Sequence, residues 1–242
     1  MFRGLIVGCV ALVAGSSLAV ASPQDDLKAA AQKLADANGY SWKSTVQNAG
    51  GNNNRGGGPS EGKTEKDGYT MVTMTRGDNK TEVIRKGEKV AIKNADGEWK
   101  TPAELADANG GGGGNPGRFA GRAAQNLPAK TAMDLVSDAK DLTASGDGFS
   151  GMLSEEGAKK ALSFGGRRGG DNTNAPEITN AKGEVKFTTK DGVLSSYELH
   201  VSGSVSFNGN NRDVDRTTTV QIMDVGSTKV EVPDEAKKKL AE

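Results

Sequence analysis

The chain has 242 residues with 31 basic and 31 acidic side chains, so its formal net charge is zero at neutral pH. Proteins that bind nucleic acid or an anionic membrane surface usually carry a basic excess or a basic stripe, and this balance argues against both kinds of partner. The only cysteine, Cys9, lies in an apolar N-terminal segment, so the rest of the chain has no disulfide and no thiolate metal site.

The first 21 residues have the pattern of a secretory signal peptide. Arg3 supplies a positive start, Gly4 to Ala14 is almost wholly apolar, and Ala19-Val20-Ala21 presents small residues ahead of a cleavage site. The apolar run is shorter than the roughly 20 residues that span a bilayer. We therefore predict a signal peptide at 1–21 that is cleaved after Ala21. We also predict export of a single domain, residues 22–242, to the periplasm or the medium without stable membrane insertion.

A helix and a series of short strands are predicted to follow. Ser22 and Pro23 suit the N-cap and the first position of a helix, which Asn38-Gly39 would end. Tyr40, Trp42 and Val46 share one parity, which predicts a strand. Turn pairs then separate the short strands of a meander, namely Tyr69 to Thr75, Thr81 to Arg85, Lys89 to Lys93 and Glu98 to Lys100.

Helical patterns occupy the middle of the chain. They cover Pro102 to Ala108, the stretch from Thr131 toward Leu142, and Glu155 to Leu162 with Ser154 as its cap. Strands return at Glu184 to Thr189, Val193 to Phe207, Val214 to Met223 and Lys229 to Val232. Pro233 then opens a final helix from Asp234 to Leu240.

Three stretches rich in glycine, asparagine and arginine interrupt these elements, near residues 48–62, 109–122 and 164–174. Glycine lowers the cost of irregular backbone and raises the entropy lost on ordering, so we interpret all three as mobile surface loops. Arg55-Gly56-Gly57 and Arg168-Gly169-Gly170 resemble contacts to nucleic acid. Two isolated copies without interleaved aromatic residues, in an exported protein, favour the loop interpretation.

The stretch from Tyr197 to Phe207 shows the clearest alternation. Tyr197, Leu199, Val201, Val205 and Phe207 share one parity, and the residues between them, including Glu198, His200 and Ser202, are polar. Such a strand buries one face and exposes the other. The segment Val214 to Met223 follows after a turn, which predicts an antiparallel hairpin whose apolar face is covered by helices or by a carried ligand.

Residues with catalytic or metal-binding chemistry are scarce. His200 is the only histidine and lies on the polar side of its strand, so we interpret it as a solvated surface side chain. Asp213 and Asp215 share a strand face between Arg212 and Arg216, and we interpret them as surface charges in cross-strand pairs. The sequence has no nucleophile, phosphate-binding or calcium-loop motif. We therefore predict no enzymatic activity, no catalytic residue, no metal and no cofactor.

Several features, taken in order, resemble the lipoprotein-carrier fold of LolA-like and LppX-like proteins. They are the helix that runs into a Tyr/Trp strand and the segments Gly68 to Met74, Val83 to Gly87, Asp96 to Trp99, Gly192 to Tyr197, Asp224 to Gly226 and Val230 to Ala236. The resemblance implies an α+β fold in which a curved, mostly antiparallel sheet forms a half-barrel, with helices over its concave face. It also implies a non-enzymatic carrier whose concavity holds an acyl chain or a lipid-bearing partner.

We therefore predict an exported, monomeric carrier or binder of an apolar ligand, a lipid or acyl chain, in the bacterial envelope. The predicted ligand-binding residues lie on the covered sheet face and on the helix above it: Tyr197, Leu199, Val201, Val205, Phe207, Met133, Leu135 and Val136. A ligand would need a cavity of roughly 300–1,000 Å³, which we expect between the sheet and the second and third of the three middle helices. The alternative is a structural or protein-interaction module of the envelope whose helices fill this concavity.

Overall fold

The computed structural model describes residues 22–49, 58–77, 79–94, 96–108, 124–163, 176–207 and 210–241. The predicted signal peptide and most of the three glycine-rich stretches lie outside these residues. The helices in the described part are α1 (Pro23–Asp36), α2 (Pro102–Ala108), α3 (Pro128–Asp138), α4 (Glu155–Leu162) and α5 (Asp234–Ala241). The strands are β1 (Gly39–Asn48), β2 (Ser60–Glu65), β3 (Thr70–Arg76), β4 (Asn79–Lys86), β5 (Lys89–Lys93), β6 (Trp99–Lys100), β7 (Ala139–Ser145), β8 (Gly148–Leu153), β9 (Glu177–Lys190), β10 (Val193–Phe207) and β11 (Asn210–Met223).

The strands form one 11-stranded sheet in the order β6-β5-β4-β3-β2-β1-β11-β10-β9-β8-β7. Neighbouring strands are antiparallel throughout, and the first and last strands of the sequence, β1 and β11, pair at its centre. The sheet is open, since its edge strands β6 and β7 are at opposite ends of this order. Helix α1 contacts both β10 and β7. These strands are three places apart in the sheet order, so the helix lies across this half of the sheet. The predicted α+β half-barrel is confirmed.

Helices cover the two faces of the sheet unequally. Helices α1 and α4 contact β10, and α3 packs against α1, so these three lie over the inner face. The larger core cluster lies there and includes Leu27, Leu34, Trp42, Val185, Phe187 and Val201. Helix α5 contacts β4, β5 and β6, and a smaller cluster joins Ile84, Ala91 and Trp99 to Ala236 and Leu240. Register places Ile84 and Ala91 opposite each other, on the outer face.

Helix α1 begins and packs as the sequence predicts. The Ser22 side chain accepts a hydrogen bond from the Asp25 backbone N–H, and Pro23 occupies the first turn. A capping oxygen of this kind satisfies one of the free donors at a helix start. Leu27, Ala31 and Leu34 recur on one side of the helix and are fully buried, so α1 is anchored through a single apolar stripe.

Strand β2 corrects the prediction that residues 60–62 belong to a glycine-rich loop. Ser60–Glu65 pairs with β1 on one side and β3 on the other. Gly62 lies opposite Trp42, and a Cβ atom at this glycine would overlap the Trp42 ring. The glycine therefore makes room for a buried indole within a regular strand, whereas composition alone favoured a loop.

The sequence interpretation did not predict the hairpin β7–β8. It predicted instead that helix α3 continues toward Leu142. The helix ends at Asp138, and the chain enters β7 at once. Asp141 has a positive φ of 52°, and the pairing with β8 shifts register between Lys140 and Thr143. A bulge of this kind interrupts the period of two by which a strand is recognised in a sequence.

The segment Lys229 to Val232 is also corrected, since it is not a strand in the structure. The Val230 backbone N–H donates to the Glu65 carboxylate, 3.1 Å away, instead of to the backbone of a neighbouring strand. A side-chain acceptor can satisfy a backbone donor as well as the hydrogen bonds between neighbouring strands do.

None of the helices in the described part of the chain combines the length and the apolar character that a membrane span requires.

Candidate ligand-binding site

A cavity of about 460 Å³ lies between helices α3 and α4 and strands β1, β10 and β11. This is the space between sheet and middle helices in which the sequence predicts a ligand site. Its volume falls within the range of roughly 300–1,000 Å³ that is usual for small-molecule sites. The helices therefore leave part of the inner sheet face uncovered by protein.

Three strands in register build the floor of the cavity. Thr218 of β11 lies between Leu199 of β10 and Val46 of β1, and Val220 lies between Tyr197 and Ser44. All of these residues line the cavity. Because alternate residues of a strand point to the same face, a shift of the strand pairing by one residue would turn the side chains of that strand to the outer face. The floor is mainly apolar along these two rows.

Arg216 continues the floor one row beyond Thr218. It lies between Val201 and Asn48 and also lines the cavity. Its Nη2 donates to the backbone carbonyl of Ala161 in α4, at 2.8 Å. Burial lowers the pKa of the Arg216 guanidinium from its usual value, and the neighbouring Arg212 lowers it further. A positive charge is thus held at one end of an apolar surface, where water screens it poorly.

The wall of the cavity comes from α3 and α4. Leu135 supplies an apolar surface, and Thr131 forms a hydrogen bond with the Tyr197 hydroxyl, whose pKa is raised by burial and lowered to a lesser degree by this bond. Lys130 and Asp134 are four residues apart on α3 and form a salt bridge, with 3.4 Å between Nζ and Oδ2. These groups give the cavity a polar upper side and an apolar floor.

The sequence-predicted site residues are distributed between cavity and core. Tyr197, Leu199 and Leu135 line the cavity. Val201 and Val136 are fully buried in the packed core, and Val205 and Met133 are half-buried. The side chain of Phe207 lies outside the described residues. Whether any of them binds a ligand stays a prediction.

The sequence interpretation missed Arg216 as a member of this site, because it considered this arginine only as a neighbour of Asp213 and Asp215. The two aspartates do lie on the outer face. Oδ1 of Asp215 is 2.9 Å from Nε2 of His200, and Oδ1 of Asp213 accepts a hydrogen bond from the Ser204 hydroxyl at 2.6 Å. Arg216 points the other way. Its parity is that of Val214, Val220 and Ile222, so the alternation already placed it on the covered face.

His200 is on the outer face, and 43% of its side chain is exposed. Within the described residues, no group of three or more histidine, cysteine, aspartate or glutamate side chains is arranged to hold a metal ion. The chemistry that this cavity offers is therefore that of an apolar surface with polar and charged groups at its margin.

No protein-family model matches the chain, and no curated protein matches it in sequence. It is similar in structure to the Mycobacterium tuberculosis lipoprotein LppX, with 10% identity, a TM-score of 0.47, and coverage of 87% of this chain and 98% of that one. It is similar to LprF from Mycobacterium bovis, with 10% identity, a TM-score of 0.45, and coverage of 88% and 97%. A LolA superfamily protein from Nitrosomonas europaea gives 8% identity, a TM-score of 0.30, and coverage of 89% and 97%. The likeness concerns the course of the chain, and it assigns no ligand.

Proposed function

We propose that this protein is a non-enzymatic binder or carrier of an apolar ligand, a lipid or an acyl chain. The observation that supports the proposal is the cavity of about 460 Å³ over the floor formed by Val46, Leu199, Thr218 and Val220. Apolar side chains that line an open cavity of this size are accessible to water, and removing apolar surface from water is favourable. An acyl chain bound in the cavity would cover these side chains and be buried itself, and each buried methylene contributes about 0.8 kcal/mol.

The polar upper side of the cavity suits such a ligand. Two ion pairs, Lys130 with Asp134 and Lys160 with Asp138, lie on the helices that form the wall. Long charged side chains at the margin of an apolar surface cover part of it with their stems and keep their charged groups in water. The cavity therefore offers separate places to the apolar and polar parts of an amphiphile.

The proposal includes the cellular context that the sequence indicates. The protein would be exported, lose residues 1–21 after Ala21, and act as a single domain and a monomer in the periplasm or the medium. Its partner would be a lipid or a lipid-bearing protein of the envelope. The support for this part is the N-terminal pattern of a positive start, an apolar run and a small-residue cleavage site.

A substitution that fills the cavity tests ligand binding. Thr218→Phe would add an aromatic ring at the middle of the floor, between Leu199 and Val46. We expect it to weaken the binding of a fluorescent fatty acid by about tenfold or more, which corresponds to ~1.4 kcal/mol. The measurement is titration of the purified protein followed by the fluorescence of the probe.

The matched control is Thr219→Phe, which makes the same change on the outer face of the same strand, in the row of Thr45 and Glu198. It should bind the probe as the unmodified protein does. If the unmodified protein does not bind the probe, or if both variants bind it equally well, the carrier proposal is wrong. The structural or protein-interaction module would then be the better account.

A further inference from the structure

The charges that line the cavity are not balanced among the described residues. The Lys130 Nζ lies 3.4 Å from Oδ2 of Asp134, and the Lys160 Nζ lies 2.9 Å from Oδ1 of Asp138. Each of the two lysines on the helices therefore forms a salt bridge with a carboxylate. Arg216 is the remaining cation of the lining, and within the described part of the chain it forms no salt bridge. Its hydrogen bond to the Ala161 carbonyl uses one of five N–H donors, and no carboxylate of the described residues compensates its charge.

An unsatisfied donor lies next to Arg216 in the sheet. Asn48 is the cross-strand neighbour of Arg216 on β1, and its side-chain Nδ2 is buried without a hydrogen-bond partner among the described residues. A buried polar atom without a partner is rare, since it loses its hydration and gains nothing in return. Asn48 is not part of the cavity lining, so the charge of Arg216 is the feature that points to an acceptor in the cavity.

We propose that the ligand is an anionic amphiphile whose carboxylate or phosphate binds Arg216 while its apolar chain lies along the cavity floor. The inference rests on the proposed function and adds the chemical class of the ligand. An anion would neutralise the guanidinium, for which carboxylate and phosphate have matching geometry.

The shape of the floor agrees with this orientation. Val220 lies four residues beyond Arg216 on β11, a distance of about 13 Å along an extended strand. Thr218 and its neighbours Leu199 and Val46 fill the interval. The floor is thus charged at one end and apolar over the rest of its length, as an amphiphile with a single terminal anion requires.

The test compares a charged and a neutral probe of the same chain length, dansyl-undecanoic acid and its methyl ester. We expect the unmodified protein to bind the acid about tenfold or more tightly than the ester. Arg216→Gln should abolish this preference by weakening the acid alone. Retained binding of the ester would also show that the variant is folded. The control Lys43→Gln removes a positive charge from the outer face of β1, where Lys43 lies opposite Gln221, and should leave the preference intact.

Competition distinguishes the sources of the anion. Dodecyl phosphate should displace the acid probe from the unmodified protein, whereas inorganic phosphate at the same concentration should not. Displacement by inorganic phosphate alone would overturn the inference, because the site would then recognise a free anion.

The two proposals fail in different ways. If neither dansyl probe binds, the proposed function is wrong and the inference fails with it. If acid and ester bind equally well, and Arg216→Gln changes neither, the protein binds apolar ligands but the assignment of an anionic group is wrong.

Discussion

Leu34→Asp is expected to lower the free energy of unfolding by about 5 kcal/mol, because it places a carboxylate in a fully buried site. Leu34 has no exposed surface and belongs to the larger core cluster beneath α1. Truncation of a buried leucine alone usually costs about 2–5 kcal/mol, and the unpaired charge adds to this. Unfolding in urea followed by far-ultraviolet circular dichroism measures the loss.

Ala29→Asp is the control for this prediction. Ala29 lies on the exposed side of the same helix, so the substitution adds the same charge without burying it. We expect a change within about 0.5 kcal/mol, as for other surface substitutions. A similar loss of stability at both positions would mean that α1 does not dock on the sheet through its Leu27–Leu34 stripe.

Phe187→Ala is expected to destabilise the protein by about 3–5 kcal/mol, which is the usual range for a buried aromatic residue. Phe187 is 1% exposed on β9, between Tyr197 of β10 and Phe149 of β8. Its ring centroid lies 6.3 Å from that of Tyr197 in a tilted arrangement, a contact that contributes beyond area burial.

The unfolding midpoint in urea should therefore fall sharply for Phe187→Ala and hardly at all for Thr188→Ala. Thr188 is the next residue of β9, and its side chain is exposed on the opposite face. If the two variants had equal stability, the inner face of the sheet would not be the main core. Either result is independent of whether a ligand binds.

The elements that the sequence predicts well are those with strong local signals. Ser22 with Pro23, and Ser154 ahead of Glu155, place two helix starts correctly because a capping side chain acts within three residues of its own position. The strand Val193–Phe207 is predicted at its observed bounds because its alternation from Tyr197 to Phe207 is long. A hairpin with β11 then follows from a short connection.

Elements that depend on distant partners are harder to predict. Strand β2 contains Gly62, whose role becomes visible only when Trp42 is placed opposite it. The bulge near Asp141 hides β7 from a period-two pattern. Tertiary context decides both positions, and local composition points the other way.

The residues that line the cavity are hard to predict for the same reason, because tertiary packing decides which they are. Leu199 is predictable as a residue of the inner face, and Leu135 as a residue of the covering helix. The sequence does not tell, however, which of the covered residues line the cavity. Val201, two residues from Leu199 on the same face, is fully packed. The difference arises from where α4 lies, and Gly203 and Leu162 set part of that position by their close approach.

Arg216 is the most instructive residue of the site. The sequence interpretation considered it only as a neighbour of Asp213 and Asp215, whereas its parity with Val220 predicts the covered face, where it lies in the structure. A charged residue on the apolar side of an alternating strand is therefore better treated as a candidate site residue than as an exception. Burial of a charge is costly, so such a position usually has a reason.

The most direct test of the central claim is mass spectrometry of organic extracts from the protein and from Thr218→Phe, purified in parallel. The account predicts an acyl-chain lipid in near-stoichiometric amount in the extract of the unmodified protein, and its loss from the variant, in which the ring would occupy the floor between Leu199 and Val46. Extracts that both lack lipid, or that contain equal amounts of it, would contradict the account.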